Sequence, residues 1–323
     1  MELNYDNFFE RRSVLITGGA GFIGSHLVDR LVRDGMNVAI IDDFSTGKRS
    51  NLNEAAELYD IDICDENLVE VIKEISPDIV YHLAAQISVS ISTREPVDDA
   101  RINIMGLLNL LEALRATKLP RFIFASTGGA IYGEPERNPV SETDPCRPES
   151  PYAASKLAAE GYLGTYKAAY GLDYSIVRLG NVYGPRQEPH GEAGVIAIFA
   201  RAMIANCPVK IFGDGKDERD YVYVSDIVEG FLKASEKGGS TVYNLGSGIG
   251  TNTNDLAARL IVLTETSVRP EHGPPRPSDI HMVRLNPEKA REQLGWEVTV
   301  DLDEGMKSTV DFFRDDTRDS RES

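Results

Sequence analysis

Cysteine is scarce in this chain, with Cys64, Cys146 and Cys207 the only three among 323 residues. They are widely spaced and odd in number, which excludes a disulfide framework and offers no metal-ligand pattern. No apolar run approaches the roughly 20 residues that a membrane-spanning helix needs. The opening stretch Met1–Asp6 is polar and acidic, unlike a secretory leader, so a cytoplasmic protein is expected. Positive charge is also in short supply. With 34 Lys and Arg against 51 Asp and Glu the net charge is −17, which argues against a nucleic-acid or anionic-membrane surface. An anionic ligand would therefore need a local basic pocket. Internal repeats and basic stripes are both lacking, which leaves a polymer-binding role without support.

What is present begins at Ser13-Val14-Leu15-Ile16-Thr17, a β-branched apolar run that enters Gly18-Gly19-Ala20-Gly21-Phe22-Ile23-Gly24 and then a helical pattern. Glycines at 18, 21 and 24 allow a sharp turn, close approach of the backbone to a pyrophosphate, and tight packing of helix on strand. The phosphates would sit on the free N–H groups at the helix start, around Phe22 and Ile23, where the helix dipole favours negative charge. Asp42 closes the next apolar run, Asn37–Ile41, where a carboxylate can bind the adenosine ribose hydroxyls and repel a 2′-phosphate. NAD is expected over NADP, with Asp43 the neighbouring candidate for the same acid.

Length exceeds what one core usually supports, so two lobes are expected. Strand-like runs at 14–17, 38–42, 79–83, 122–126 and 174–178 alternate with helical spacing at 25–34, 67–75, 104–117 and 152–170. That alternation predicts an α/β fold: a doubly wound, parallel Rossmann-type sheet with a smaller C-terminal substrate-binding lobe. The boundaries expected are residues 1–181, rejoined by 222–245, for the dinucleotide domain. Residues 182–221 and 246–313 form the substrate lobe, and 314–323 a frayed, charged tail.

Chemistry is suggested by Ser150-Pro151-Tyr152-Ala153-Ala154-Ser155-Lys156. Pro151 suits a first helical position with Ser150 as its cap. Tyr152 and Lys156, four apart, share a helix face. An ammonium beside the phenol would lower its pKa, making a base able to take a proton from a sugar hydroxyl as the carbon loses hydride. The run Phe124-Ala125-Ser126-Thr127-Gly128-Gly129-Ala130-Ile131-Tyr132-Gly133 ends the fourth of these strand-like runs. At this carboxyl edge a hydroxyl could relay the proton.

Together, Gly18–Gly24, Tyr81-His82-Leu83-Ala84-Ala85, Tyr132-Gly133, Tyr152-x-x-x-Lys156 and Asn181-Val182-Tyr183-Gly184-Pro185-Arg186 resemble the extended short-chain dehydrogenase/reductase superfamily. Within it the chain is most similar to the NAD-dependent UDP-glucose 4-epimerase family, from about Ser13 to Phe313. The resemblance implies a tightly held NAD recycled in each turnover, with Tyr152 as the base at carbon 4 and Lys156 tuning it and holding the nicotinamide ribose, so that both residues also count as cofactor-binding. It implies a 4-keto sugar that rotates and takes hydride back on its other face. Leu83, Ala84, Ala85, Gln86, Asp62, Ile63 and Asn103 match cofactor contacts. Asn181, Lys210 through its backbone, Phe212, Arg219, Arg276 and Asp279 match the residues that hold the UDP-sugar. Arginine forks suit diphosphate oxygens.

Two positions depart from the family. Many members carry Ser or Thr where Gly128 stands, which leaves Thr127, Ser126 or water as the relay. A cofactor-binding lysine is replaced by Ile87, next to Gln86. The same loop lacks the acidic pair of 4,6-dehydratases, the glutamate of decarboxylases and the cysteine of carbon 3/carbon 5 epimerases, so carbon 4 redox remains. Val283, at the family's position beside the carbon 2 substituent, leaves space there. That predicts activity on UDP-N-acetylglucosamine as well as UDP-glucose. UDP-glucuronate or UDP-N-acetylglucosamine 4-epimerases would share this catalytic group, and a non-catalytic NAD-binding sensor or scaffold is the alternative of another class. Relatives are usually homodimers joined through the helices near 104–117 and 152–170.

Overall fold

The computed structural model describes residues 12–188, 194–275 and 280–322, with side chains as far as residue 316. Six strands come first: β1 (Ser13–Thr17), β2 (Asn37–Asp42), β3 (Glu57–Asp60), β4 (Ile79–His82), β5 (Arg121–Thr127) and β6 (Asp173–Leu179). Then come β7 (Asn181–Tyr183), β8 (Lys210–Phe212) and β9 (Glu218–Tyr223), before β10 (Thr241–Leu245), followed by β11 (Gly250–Asn252), β12 (Glu271–Gly273) and β13 (Met282–Val283).

The central sheet runs β10-β6-β5-β4-β1-β2-β3, and every pairing in it is parallel. Strand side chains alternate between its faces. Val14, Ile16 and Tyr81 join Leu27, Leu31 and Phe231 on one side. Leu15, Val80 and Phe122 join Ile72, Leu110 and Leu163 on the other. Both faces are thus covered by helices, as parallel sheets require. A second sheet is built on β9, which pairs with β7, β11 and β13. Its helices bury Ile196, Phe199, Leu256, Leu260, Met306 and Phe313 in a separate cluster.

Three expectations need correction. The sequence pattern does not predict β3, because this edge strand is half-exposed throughout and carries no clean alternation. The helix expected at 104–117 is Leu107–Arg115, preceded by Val89–Arg94, by Pro96–Ala100 with proline in its first turn, and by a π-helical turn at Arg101–Gly106. The charged tail from Arg314 continues the helix Leu302–Glu322. Lys307–Asp311 and Arg314–Asp311 pair along it, and Arg314 Nη2 donates to the Leu263 carbonyl at 2.8 Å. Dense charge therefore lies on a helix surface, held down by Phe313 in the apolar cluster.

Candidate active site

The carboxyl ends of β1, β2, β4 and β5 meet where strand order reverses between β1 and β4, the place where open α/β sheets bind ligands. Gly18 follows β1 in a left-handed conformation (φ 73°), and a Cβ there would lie 2.7 Å from the Ala84 amide nitrogen. A Cβ on Gly24 would lie 2.1 Å from the Gly18 carbonyl oxygen. Both sites exclude any larger residue. The helix Phe22–Arg33 starts at Gly21 without a side-chain cap, leaving its first N–H groups to a ligand.

Asp42 is 7% exposed. Its carboxylate accepts from the Ala20 amide at 2.8 Å and the Phe44 amide at 2.9 Å. Burial pushes its pKa up, against those two bonds. The acid therefore shapes the glycine turn itself while standing at the end of β2. Asp43 is exposed and holds the Ser45 amide at 3.0 Å. Beyond β3, Asp62 holds the Cys64 amide at 2.8 Å, and Ile63 is buried against Gly106. This cradle, with glycines where a Cβ would collide and an uncapped helix start, fits a dinucleotide. Gly18, Gly21, Phe22, Ile23 and Gly24 would hold its pyrophosphate, and Asp42 its ribose.

At the end of β5 the Thr127 side chain is near enough to the Tyr152 phenol to act on its pKa, in the lowering direction. Ser150 caps the helix Pro151–Tyr170, accepting from the Ala153 amide at 3.2 Å, and Pro151 opens it. Lys156, one turn on, is buried; its Nζ donates to the Ala125 carbonyl at 3.0 Å and lies 4.8 Å from the Phe124 ring centre. The expected phenolate near neutrality is corrected here. Burial pushes Tyr152 up to about 12, with Thr127 opposing and the charge of Asp99 adding to the rise, while burial lowers Lys156 to about 8. Desolvation thus dominates the phenol, and a cationic ligand ring beside it would act in the opposite, lowering direction.

Ser126 is turned to other use. Its Oγ donates to Glu160 Oε1 at 2.6 Å, and Glu160 also takes Arg178 Nη2 at 2.6 Å and Nε at 3.0 Å. Arg178 Nη1 donates to the Tyr132 hydroxyl, which donates on to Asn244, both at 2.8 Å. Of the two candidate hydroxyls, Thr127 is the one that acts on Tyr152 and Ser126 belongs to a buried ion-pair network. Sequence reasoning missed Glu160 and Arg178, since neither carries a local signal.

After β4, Leu83 and Ala84 lie on β1: their amides donate to the Thr17 carbonyl at 3.0 Å and the Thr17 hydroxyl at 3.3 Å. Past Ala85, the Gln86 amide donates to Asn103 Oδ1 at 3.0 Å, and Asn103 Nδ2 returns a bond to the Gln86 carbonyl at 2.9 Å. Asn103 sits in the π-helical turn, a feature common at functional sites. Ile87 is exposed.

Among the substrate candidates, Asn181 Oδ1 would be 3.2 Å from a Cβ on Gly129, next to the Thr127 turn. Arg219, on β9, lies opposite Val283 in register. The neighbouring Asp220 is buried and accepts from Ser247 N and Oγ, Gly248 N and Leu285 N. Lys210 Nζ lies 5.6 Å from the Phe212 ring centre on β8, and both residues are exposed. An open cavity of about 900 Å³ begins at Gly213 and is lined by Lys216, Gly273, Pro275 and His281 among others. Arg276 and Asp279 fall outside the described residues. Val283 does not leave open space: it is 2% exposed, packed with Ile131, Tyr132, Val140 and Leu285.

Comparison with known proteins gives one family and close relatives. The profile of the "NAD dependent epimerase/dehydratase family" matches residues 14–246. UDP-glucose 4-epimerase of Mycolicibacterium smegmatis is 46% identical over 306 residues, 93% of this chain and 98% of that protein. The crystal structure of UDP-glucose 4-epimerase with UDP-glucose from Thermotoga maritima superposes with a TM-score of 0.93 at 48% identity, over 94% of this chain and 99% of that one. UDP-glucose 4-epimerase of Thermus thermophilus, solved in complex with NAD, gives 0.90 at 45% identity, over 93% and 98%.

Proposed function

The chain belongs to the NAD-dependent epimerase/dehydratase family, and from that premise we propose that it interconverts UDP-glucose and UDP-galactose by inverting carbon 4. NAD, when bound, supplies a reversible acceptor of the carbon 4 hydride. Tyr152 takes the proton of the 4-hydroxyl, and Thr127, beside that phenol, carries it between sugar and tyrosine. Lys156 is held on the Ala125 carbonyl one helical turn from Tyr152, where its ammonium would hold the nicotinamide ribose and favour the ionised phenol. Rotation of the 4-keto sugar in the pocket would present its opposite face, and Tyr152 would return the proton to the carbon 4 oxygen.

The observation that carries this reading is the pair Tyr152 and Lys156 one turn apart on the helix at the carboxyl edge of the sheet, with Lys156 held on the Ala125 carbonyl, beside a glycine turn built for a dinucleotide. In this reading residues 1–181 and 222–245 hold NAD, while 182–221 and 246–313 hold the UDP-sugar on Asn181, Lys210, Phe212, Arg219, Arg276 and Asp279. The charged tail from residue 314 is part of the second unit's last helix.

A cytoplasmic place in galactose metabolism follows from that substrate, and no described helix is long and apolar enough to cross a membrane. A homodimer is supported by exposed Val89, Ile91, Val97 and Met105, with Tyr162 and Tyr170 on the neighbouring helix. On the first of these segments the exposed residues lie before residue 107; Leu107, Leu110, Leu111 and Leu114 are spent on the core. A monomer in sedimentation would remove that part.

The deciding experiment gives the purified protein and NAD a panel of UDP-glucose, UDP-galactose, UDP-N-acetylglucosamine and UDP-glucuronate, read by chromatography. UDP-galactose formed from UDP-glucose is expected. Conversion of the acidic or N-acetylated sugar alone would replace the substrate, and no conversion at all would return the chain to a binding role.

A further inference from the structure

Asp99 is a carboxylate 1% exposed near the end of the short helix Pro96–Ala100. Taking such a charge out of water is costly unless donors replace the lost hydration. Three side chains do so, from three separate elements. Gln86 Nε2, just past β4, donates to Oδ1 at 2.9 Å, and Asn103 Nδ2, in the π-helical turn, donates to the same oxygen at 3.0 Å. Ser155 Oγ donates to Oδ2 at 2.6 Å. Ser155 immediately precedes Lys156 and lies three residues after Tyr152.

We infer that Asp99 is a positioning residue for the reaction: this one carboxylate fixes the Gln86 loop and the Asn103 turn against the Tyr152–Lys156 helix, and supplies the counter-charge of Lys156. The inference rests on Tyr152 and Lys156 being the catalytic pair. Two anions act on the buried ammonium, Asp99 and Glu160. Glu160 is engaged by both nitrogens of the Arg178 fork, so much of its charge is already balanced. All three donors on Asp99 are neutral, so its charge is spent on no other cation.

The remaining ionisable groups do not replace it. His82 is kept neutral by burial, and Tyr152 is protonated. On the Asp99 segment, Arg101 is half-exposed and pairs with Asp62 and Asp98. The same carboxylate raises Tyr152, so Asp99 favours a protonated tyrosine together with a charged lysine.

The test compares the NAD-bound wild type with Asp99→Asn, which keeps the volume and an acceptor oxygen but removes the charge. The first readout is the titration of the Lys156 ammonium, followed by NMR in protein carrying nitrogen-15 at the lysine side chains and assigned with Lys156→Met. Losing a nearby anion favours the neutral amine, so the titration should move down by about one pH unit. At a pH equal to the wild-type midpoint, a one-unit fall takes the charged fraction from about a half to about a tenth. Turnover should fall about fivefold at that pH and hardly two units below it. An unmoved titration, or a loss equal at every pH, overturns the inference.

Ser155→Ala covers the case in which the Asn variant does not fold. It cuts the link to the helix and leaves the charge, so kcat should drop by about threefold or more with the pH limb unmoved. Wild-type kcat in that variant would overturn the inference. The lysine titration needs no sugar, so a wild type inert on every UDP-sugar would defeat the proposed function alone.

Discussion

The Leu285 side chain fills the place that a Cβ on Gly128 would need, its Cδ1 lying 2.4 Å from that position. Leu285 is wholly buried, and its amide is held by Asp220 Oδ2 at 2.9 Å, so it has little room to withdraw. A leucine and a glycine have taken complementary shapes here, and the side chain that acts on Tyr152 is Thr127, one residue earlier.

That fit predicts strong coupling between the two sites. Gly128→Ser should destabilise the protein by about 1–3 kcal/mol through overpacking. Leu285→Ala should cost about 2–5 kcal/mol through the cavity it leaves. Combined, they should cost clearly less than the sum, because the serine occupies the vacated space. Urea unfolding of the four proteins checks this; strictly additive losses would mean that Leu285 does not define the turn.

Tyr152→Phe should lower turnover by about a hundred- to ten-thousandfold, the usual range for a lost general base. Bound NAD should be retained, since the ring and the helix that carries it stay in place. Retention of more than about a tenth of wild-type activity would take Tyr152 out of the base role. Because burial pushes the unliganded phenol up to about 12, its ultraviolet titration in cofactor-free protein should begin only in strongly alkaline solution.

The parts of the site that were legible in the sequence are those whose geometry is local. Gly18, Gly21 and Gly24 are spaced by the turn they make, and Asp42 by the length of one helix and strand. Tyr152 and Lys156 are spaced by one helical turn. Contacts between distant segments left no such trace. Nothing near Asp99 announces Ser155, nothing near Ser126 announces Glu160, and the space expected beside Val283 is filled by Ile131, Tyr132 and Leu285. Protonation states were illegible for the same reason: the spacing of Tyr152 and Lys156 puts them on one helix face but does not show the desolvation that governs both.

Asp42 has two duties, and its substitution should show both. Asp42→Ala removes the acceptors of the Ala20 and Phe44 amides, so the glycine turn should loosen at a cost of about 1–3 kcal/mol. NAD affinity should fall, and the bias against NADP should relax with the loss of negative charge. Asp42→Asn, which keeps one acceptor, should be milder in stability yet similar in cofactor preference. Calorimetric titration of cofactor-free protein separates the effects; an unchanged preference would move the ribose acid to Asp43.

The buried His82 gives a prediction for mild acid. Its ring lies 5.9 Å from both Phe122 and Phe124, and its Nδ1 is 2.7 Å from the Thr17 hydroxyl. Burial, assisted by the charge of Lys156, lowers its pKa to about 3. The folded value is thus far below the unfolded value of about 6.5. As pH falls through 6.5 the unfolded chain takes up a proton that the folded one refuses, so stability is full above that pH and declines below it. The slope for one such group is about 1.4 kcal/mol per pH unit, or about 2 kcal/mol between pH 6.5 and 5. In His82→Leu this share of the acid sensitivity should vanish, although the variant starts lower for want of the Thr17 bond. Urea midpoints at pH 7, 6 and 5 compare the slopes rather than the starting points. Parallel slopes in the two proteins would mean that His82 accepts its proton in the folded state and is not sealed between the two rings.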